Sequence, residues 1–109
     1  MSCKKVPENA VKPKGTGPFS PVLEIECSKL VVISGQTARS AEGEILGDNM
    51  TDQAHAVMKN CLRQLEAAGC TLADVFKVNA YVTDMTDWKN FNEVYVQYMP
   101  DPMPVRTTI

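Results

Sequence analysis

The side chains able to do chemistry in this sequence are few, and their spacing limits what that chemistry can be. Four cysteines, Cys3, Cys27, Cys61 and Cys70, are scattered with no C-x-x-C pair and no signal-peptide pattern ahead of them. They are expected to be free thiols of a reduced, cytoplasmic protein. His55 is the single histidine, so a zinc site would have to be assembled from scattered ligands, and no metal is expected. His55 itself reads as an ordinary helix residue at the border of an apolar stripe. Arg106 follows Pro100, Pro102 and Pro104 and opens an apolar, β-branched run. Its guanidinium is a planar fork of the kind that grips an oxyanion through two parallel hydrogen bonds. The plain alternative is a surface arginine at the start of an edge strand.

The elements that must position these residues follow from periodicity. A chain of 109 residues is one domain and can bury roughly two thirds of its unfolded surface without disulfides or metal. Residues 1–18, rich in Lys, Pro and Gly, read as an extended and solvated lead-in. Pro21 to Glu26 and Leu30 to Ile33 read as two strands joined through Cys27-Ser28-Lys29, a hairpin. A short strand is expected around Glu44-Ile45-Leu46. Ala54, Val57, Met58, Cys61, Leu62, Leu65 and Ala68 recur at helical spacing, with Asn49 or Thr51 as N-cap and Gly69 as the left-handed stop. Asp74 to Asp84 alternates as a strand, with Phe76, Val78, Ala80 and Val82 on one face and Val75, Lys77, Asn79 and Tyr81 on the other. A second helix starts near Thr86, and its stripe of Trp88, Phe91, Val94, Tyr95 and Tyr98 reads as core. Val105 to Ile109 begins a last strand.

The order hairpin, helix, strand, helix, strand gives an α/β (α+β) fold, a mixed sheet with both helices packed on one face. No third helix is left to cover the face bearing Val75 and Tyr81, which implies self-association. A net charge of -2 gives no electrostatic reason to expect nucleic acid. No apolar run reaches the ~20 residues needed to cross a bilayer.

Gly17 to Ser20, Ser34 to Gln36, Gln53 with Asn60, Asp74 to Lys77, Tyr81 to Asp84, Phe91 to Tyr95 and Pro104 to Thr107 stand in an order and at spacings that resemble the Rid (YjgF/L-PSP) family over almost the whole chain. Gly17-Pro18-Phe19-Ser20 is similar to its G-P-Y-S, and Ser34-Gly35-Gln36 to its S-G-Q. Gln53 and Asn60 stand at its Q-x(6)-N spacing, and Leu65 and Gly69 match its helix ending. Asp74 to Lys77 and Tyr81 to Asp84 resemble its D-V-x-K and Y-V-x-D. Phe91-Asn92-Glu93-Val94-Tyr95 resembles its F-N-x-x-Y, and Pro104-Val105-Arg106-Thr107 its P-x-R-[ST]. The resemblance implies a chorismate-mutase-like fold, a homotrimer with clefts between subunits, and no cofactor. It further implies hydrolysis of 2-aminoacrylate and related enamines or imines to 2-keto acids and ammonia. Arg106 would hold the substrate carboxylate, with Ser34, Gly35 and Asn92 lining the cleft.

Three features depart from the family pattern. Phe19 replaces the tyrosine of G-P-Y-S. Thr108 stands where active deaminases usually carry a cysteine. The family also continues into one more strand, whose glutamate positions the hydrolytic water, and this sequence stops at Ile109. The alternatives to an enamine/imine deaminase are therefore a non-catalytic trimeric binder of small carboxylates and the endoribonuclease or translation-inhibitor activity associated with L-PSP names. Low aromatic content and the acidic balance weigh against the last.

Overall fold

The computed structural model describes residues 3–109. In chain order it contains β1 (Lys4–Lys5), β2 (Glu24–Ile25), α1 (Met50–Ala67), β3 (Lys77–Ala80), α2 (Trp88–Tyr98) and β4 (Val105–Thr108). The part of the expected lead-in formed by Met1 and Ser2 lies outside the described residues.

α1 forms where its stripe and caps predict. The Asn49 side chain accepts from the Asp52 N–H at 2.9 Å, satisfying one donor of the first turn. At the other end Cys70 N–H reaches Leu65 O at 2.8 Å and Gly69 N–H reaches Glu66 O at 3.0 Å. Gly69 stands at φ +75°, so the helix stops in a paired Schellman closure at a residue with no Cβ penalty. The helix buries Ala54, Met58 and Leu65 against Phe91, Val94 and Tyr95 of α2 and Ala80 of β3, and these residues form the core with Leu72 and Met99.

β3, α2 and β4 make a parallel crossover. Asp84 starts the second helical segment by accepting from the Thr86 N–H at 2.9 Å, and that backbone donor holds the Asp84 carboxyl below its ordinary range. A 3-10 turn over Met85–Asp87 then passes into α2. The returning strand pairs in register Lys77 with Val105, Val78 with Arg106, Asn79 with Thr107 and Ala80 with Thr108. Arg106 is thereby fixed in the middle of the ladder and not on a free edge turn.

The front half differs from its sequence reading. The hairpin between Pro21 to Glu26 and Leu30 to Ile33 does not form. β2 instead pairs antiparallel with β1, Lys4 opposite Ile25 and Lys5 opposite Glu24. Leu30 and Val32 are left exposed, at 64% and 88%. Lys4, expected to be solvated, is buried, and its ammonium donates to Val75 O at 2.6 Å. The reason is that a lysine stem packs as hydrocarbon while its tip reaches a carbonyl. Desolvation lowers the Lys4 pKa, opposed by Asp74 and Asp101. The strand expected near Ile45 is present as an isolated antiparallel bridge between Arg39 and Ile45.

Val75 is also a correction. It packs on the core and not on the open face, because Thr71 and Asp74 form a capping box on a 3-10 turn at Leu72–Asp74 and Val75 terminates that turn. Strand alternation begins only at Lys77. Tyr81 remains on the open side, 73% exposed. The α+β class stands, with two helices and two small two-stranded sheets in place of one continuous sheet.

The loop between β2 and α1 is tied to α1 by a buried amide. Asn60 donates from Nδ2 to Thr37 O and to Arg39 O, both at 2.9 Å. Asn60→Ala leaves two carbonyls without that donor and should destabilise the chain by about 1–3 kcal/mol. Urea unfolding measures the loss, and amide exchange in residues 37–46 should accelerate more than exchange in α2.

Candidate functional site

α2 presents Trp88, Phe91, Asn92 and Tyr95 at positions i, i+3, i+4 and i+7, one continuous helical face. β4 alternates, so Arg106 and Thr108 share a side. The Arg106 guanidinium carbon lies 4.7 Å from the Tyr95 ring centroid and 5.8 Å from that of Phe91. The two rings stand 5.7 Å apart and form a tilted aromatic shelf. Gly17 closes the third side. It sits at φ +99°, and a Cβ there would come within 3.1 Å of the Trp88 ring and 3.8 Å of Arg106 Nη2. The segment is tied down by Ser20, whose N–H donates to Pro104 O at 3.0 Å and whose hydroxyl donates to Met103 O.

The polar groups on this surface are unfinished. Asn92 Oδ1, Tyr95 Oη, Arg106 Nη1 and Thr108 Oγ1 are all buried with no hydrogen-bond partner among the described residues. Folded proteins pair the large majority of such atoms, so four of them on two neighbouring elements mark a place where something else belongs. Burial lowers the Arg106 pKa, with the Tyr95 phenol acting in the opposite direction. Burial also pushes the Tyr95 phenol up to about 12, against the pull of the Arg106 charge. At neutral pH the site therefore offers a cation and a neutral O–H donor, a combination suited to an anionic ligand.

Of the residues singled out from sequence, Asn92, Arg106 and Thr108 fall on these two elements. Phe19 does not join them directly. It lies under the Lys12 ammonium, 4.5 Å from ring centroid to nitrogen, in a depression lined by Val6, Asp101, Pro102 and Met103. Ser34 and Gly35 are exposed, and Ser34 lines a separate open depression of about 450 Å³ with Gln64, Ala67 and Ala68 at the end of α1. No hydrogen bond joins either residue to Arg106. The helical spacing of Phe91 and Tyr95 predicts core. They are core, and they are also the shelf. The signal was an aromatic i, i+4 pair inside F-N-x-x-Y, on the helix immediately before the strand that carries the arginine.

The model of the family described as Endoribonuclease L-PSP matches residues 9–109. The chain belongs to the Rid (YjgF/L-PSP) family. A RutC family protein of Pyrococcus horikoshii is 39% identical over 94% of this chain and 79% of its own. The mitochondrial protein mmf2 of Schizosaccharomyces pombe is 35% identical over 96% of this chain and 81% of its own. Reactive Intermediate Deaminase A, chloroplastic, of Arabidopsis thaliana is 33% identical over 96% of this chain and 56% of its own. Among solved structures, the Rid-family protein YyfB of Yersinia pestis superposes with a TM-score of 0.83 over 98% of this chain and 86% of its own, at 24% identity, a likeness of fold. No helix among the described residues is long and apolar enough to cross a membrane.

The raised Tyr95 pKa has a stability consequence. The folded state holds the phenolic proton more tightly than the unfolded chain, whose tyrosine titrates near pH ~10. This contribution is complete below that pH and is lost as pH rises toward about 12. Urea unfolding between pH 9 and 11 should show wild type losing stability faster than Tyr95→Phe, by up to ~1.4 kcal/mol per pH unit at the top of that range. Parallel pH profiles for the two proteins would contradict the assignment.

Proposed function

We propose that this chain is a cofactor-free enamine/imine deaminase that holds the carboxylate of 2-aminoacrylate-type intermediates on Arg106 and releases a 2-keto acid and ammonia. The observation that carries the reading is the buried, unpartnered Arg106 Nη1 beside a guanidinium already oriented by two rings. A half-buried cation without a counter-anion is costly, and a bidentate carboxylate would relieve that cost while fixing the adjacent C=N carbon. The reaction itself adds water across C=N. The nitrogen gains the protons and departs as ammonia, and the carbon keeps the oxygen as the ketone. Neutral donors at the site, the Tyr95 hydroxyl among them, are of the kind that stabilise charge developing on the way.

Binding without hydrolysis is the second reading, and it too has a specific observation behind it. The groups described against Arg106 are Gly17, Phe91 and Tyr95. None of them is a carboxylate or imidazole able to activate water, and Thr108 and Phe19 replace the family's cysteine and tyrosine. The endoribonuclease reading lacks a comparable observation, and the net charge of -2 gives no electrostatic reason to expect RNA.

Assembly belongs with this proposal. Leu30, Val32, Ile45, Tyr81 and Ile109 are all exposed, and a homotrimer would cover such side chains and bring Ser34 and Gly35 of one copy toward Arg106 of another. The cytoplasmic placement expected from the cysteines also belongs here, since two of the relatives named above are mitochondrial and chloroplastic proteins.

Two measurements test the reading. Sedimentation equilibrium at micromolar concentration should give three times the chain mass, and a stable monomer or dimer would contradict it. Calorimetric titration with a 2-keto acid should show Arg106→Ala weakened roughly 10- to 150-fold, as expected for loss of a charge-assisted pair. Arg106→Lys, which keeps the charge and loses the fork, should recover only part of the affinity. Equal binding by all three proteins would remove the anchor. Normal binding by wild type without hydrolysis of 2-aminoacrylate would select the non-catalytic reading.

A further inference from the structure

Two cysteines that the Arg106 site leaves unused come together at the front of the molecule. β1 and β2 are antiparallel, and one step beyond the Lys4–Ile25 pair the ladder continues, with Glu26 N–H donating to Cys3 O at 3.0 Å. Cys3 is thus opposite Glu26, and Cys27 is the next residue along. The chain leaves strand geometry after Ile25, so Cys27 is not bound to the alternate face that strict pleating would give it. Both residues are exposed free thiols. The Cys27 thiol pKa is raised, first by partial desolvation and then by the neighbouring Cys3 thiol, in keeping with side chains on adjoining backbone positions. Cys61 and Cys70 differ. Each is half-buried, and the Cys61 thiol is raised by desolvation alone.

We propose that Cys3 and Cys27 form a redox modification site, closing to an intramolecular disulfide by exchange with a small-molecule disulfide of the glutathione class. Cys27 stands one residue out of direct register with Cys3 on a neighbouring segment about 4.8 Å away, and the irregular backbone after Ile25 lets it turn toward Cys3, as a disulfide with its usual Cα separation of about 4.4–6.8 Å requires. In the first step one cysteine, as thiolate, attacks a sulfur of oxidised glutathione. A protein–glutathione disulfide forms, and one glutathione thiolate leaves. The second cysteine then loses its proton and displaces the remaining glutathione. Two protein thiols are oxidised, one small-molecule disulfide is reduced to two thiols, and the protein's protons pass to the departing thiolates. Both thiols are exposed, so either cysteine can make the first attack and the other serves as the second thiol. Because both sulfur atoms are exposed, excess reduced glutathione reverses the bond.

The closed loop has a structural meaning. It runs from Cys3 to Cys27 and contains Gly17, against Trp88 and Arg106, and Ser20, against Met103 and Pro104. Oxidation therefore ties together both ends of the segment that covers the arginine. The proposal does not depend on what Arg106 binds.

The test uses the full reduced chain incubated with oxidised glutathione, followed by alkylation of remaining thiols, proteolysis and mass mapping. The expected result is a cross-linked peptide pair joining Cys3 to Cys27, with Cys61 and Cys70 alkylated, and full reversal by reduced glutathione. Cys3→Ser should instead trap Cys27 as the glutathione mixed disulfide, and Cys27→Ser should trap Cys3. Wild type carrying one glutathione on each cysteine, disulfides between separate chains, a bond involving Cys61 or Cys70, or four unmodified thiols would each overturn the assignment.

Discussion

The Arg106 guanidinium lies half out of water with the faces of two aromatic rings beside it and one nitrogen unpaired, and the rear half of the fold is arranged around that fact. A cation so placed must be compensated, because desolvation costs several kcal/mol per ion in a protein interior. The rings of Phe91 and Tyr95 return part of that through their quadrupoles, on the order of 1–2 kcal/mol where water is excluded. They can do so only while β4 stays parallel to β3 and beneath α2. That geometry rests on Asp84 capping the segment that starts α2, on the proline-rich return from Met99 to Pro104, and on Val105 N–H pairing with Phe76 O at 3.0 Å. Gly17 completes the enclosure, since at its positive φ a Cβ would press to within 3.1 Å of the Trp88 ring.

What could be read from the sequence follows the range of the interactions involved. The helices were legible because their signals are local. A stripe repeats every 3.6 residues, Asn49 accepts three residues ahead, and Gly69 supplies a positive φ at the end. Strand pairing is non-local and less legible in the residues themselves. Leu30 to Ile33 announces an apolar run, but nothing in those residues names the surface that covers it. Lys4 and Lys5 announce solvent, yet they pair with Glu24 and Ile25 because a lysine stem is apolar and Val75 O lies within reach of its tip. Val75 departs from its expected face because the capping box of Thr71 and Asp74 uses up the first residues of an otherwise uninterrupted alternation.

The site divides along the same line. Arg106, Asn92 and Thr108 are carried by one helix and the strand that follows it, so a local crossover suffices to bring them near each other. Phe19 reaches the surface around Asp101 to Met103, and Ser34 and Gly35 lie by the end of α1. Motif order along the chain says nothing about which of these surfaces meet. Asn60 shows a related limit. Its place in the Q-x(6)-N spacing was visible, but its work, donating twice to the backbone of the Thr37 to Arg39 turn, depends on a loop conformation that residue types do not determine.

Two features that look like separate defects of a single chain would find one physical resolution in the proposed assembly. Buried polar atoms without partners and large apolar side chains in water are both unfavourable, and a stable fold tolerates few of either. Here they occur together. Asn92, Tyr95, Arg106 and Thr108 carry the unpaired atoms, while Leu30, Val32, Ile45, Tyr81 and Ile109 carry the exposed carbon. A ligand could satisfy the first group and would leave the second untouched. An apolar partner surface could cover the second and would leave a cation unpaired. The proposed assembly of further copies around a small anion would meet both demands, and it would require nothing of the single chain beyond the surfaces it already presents.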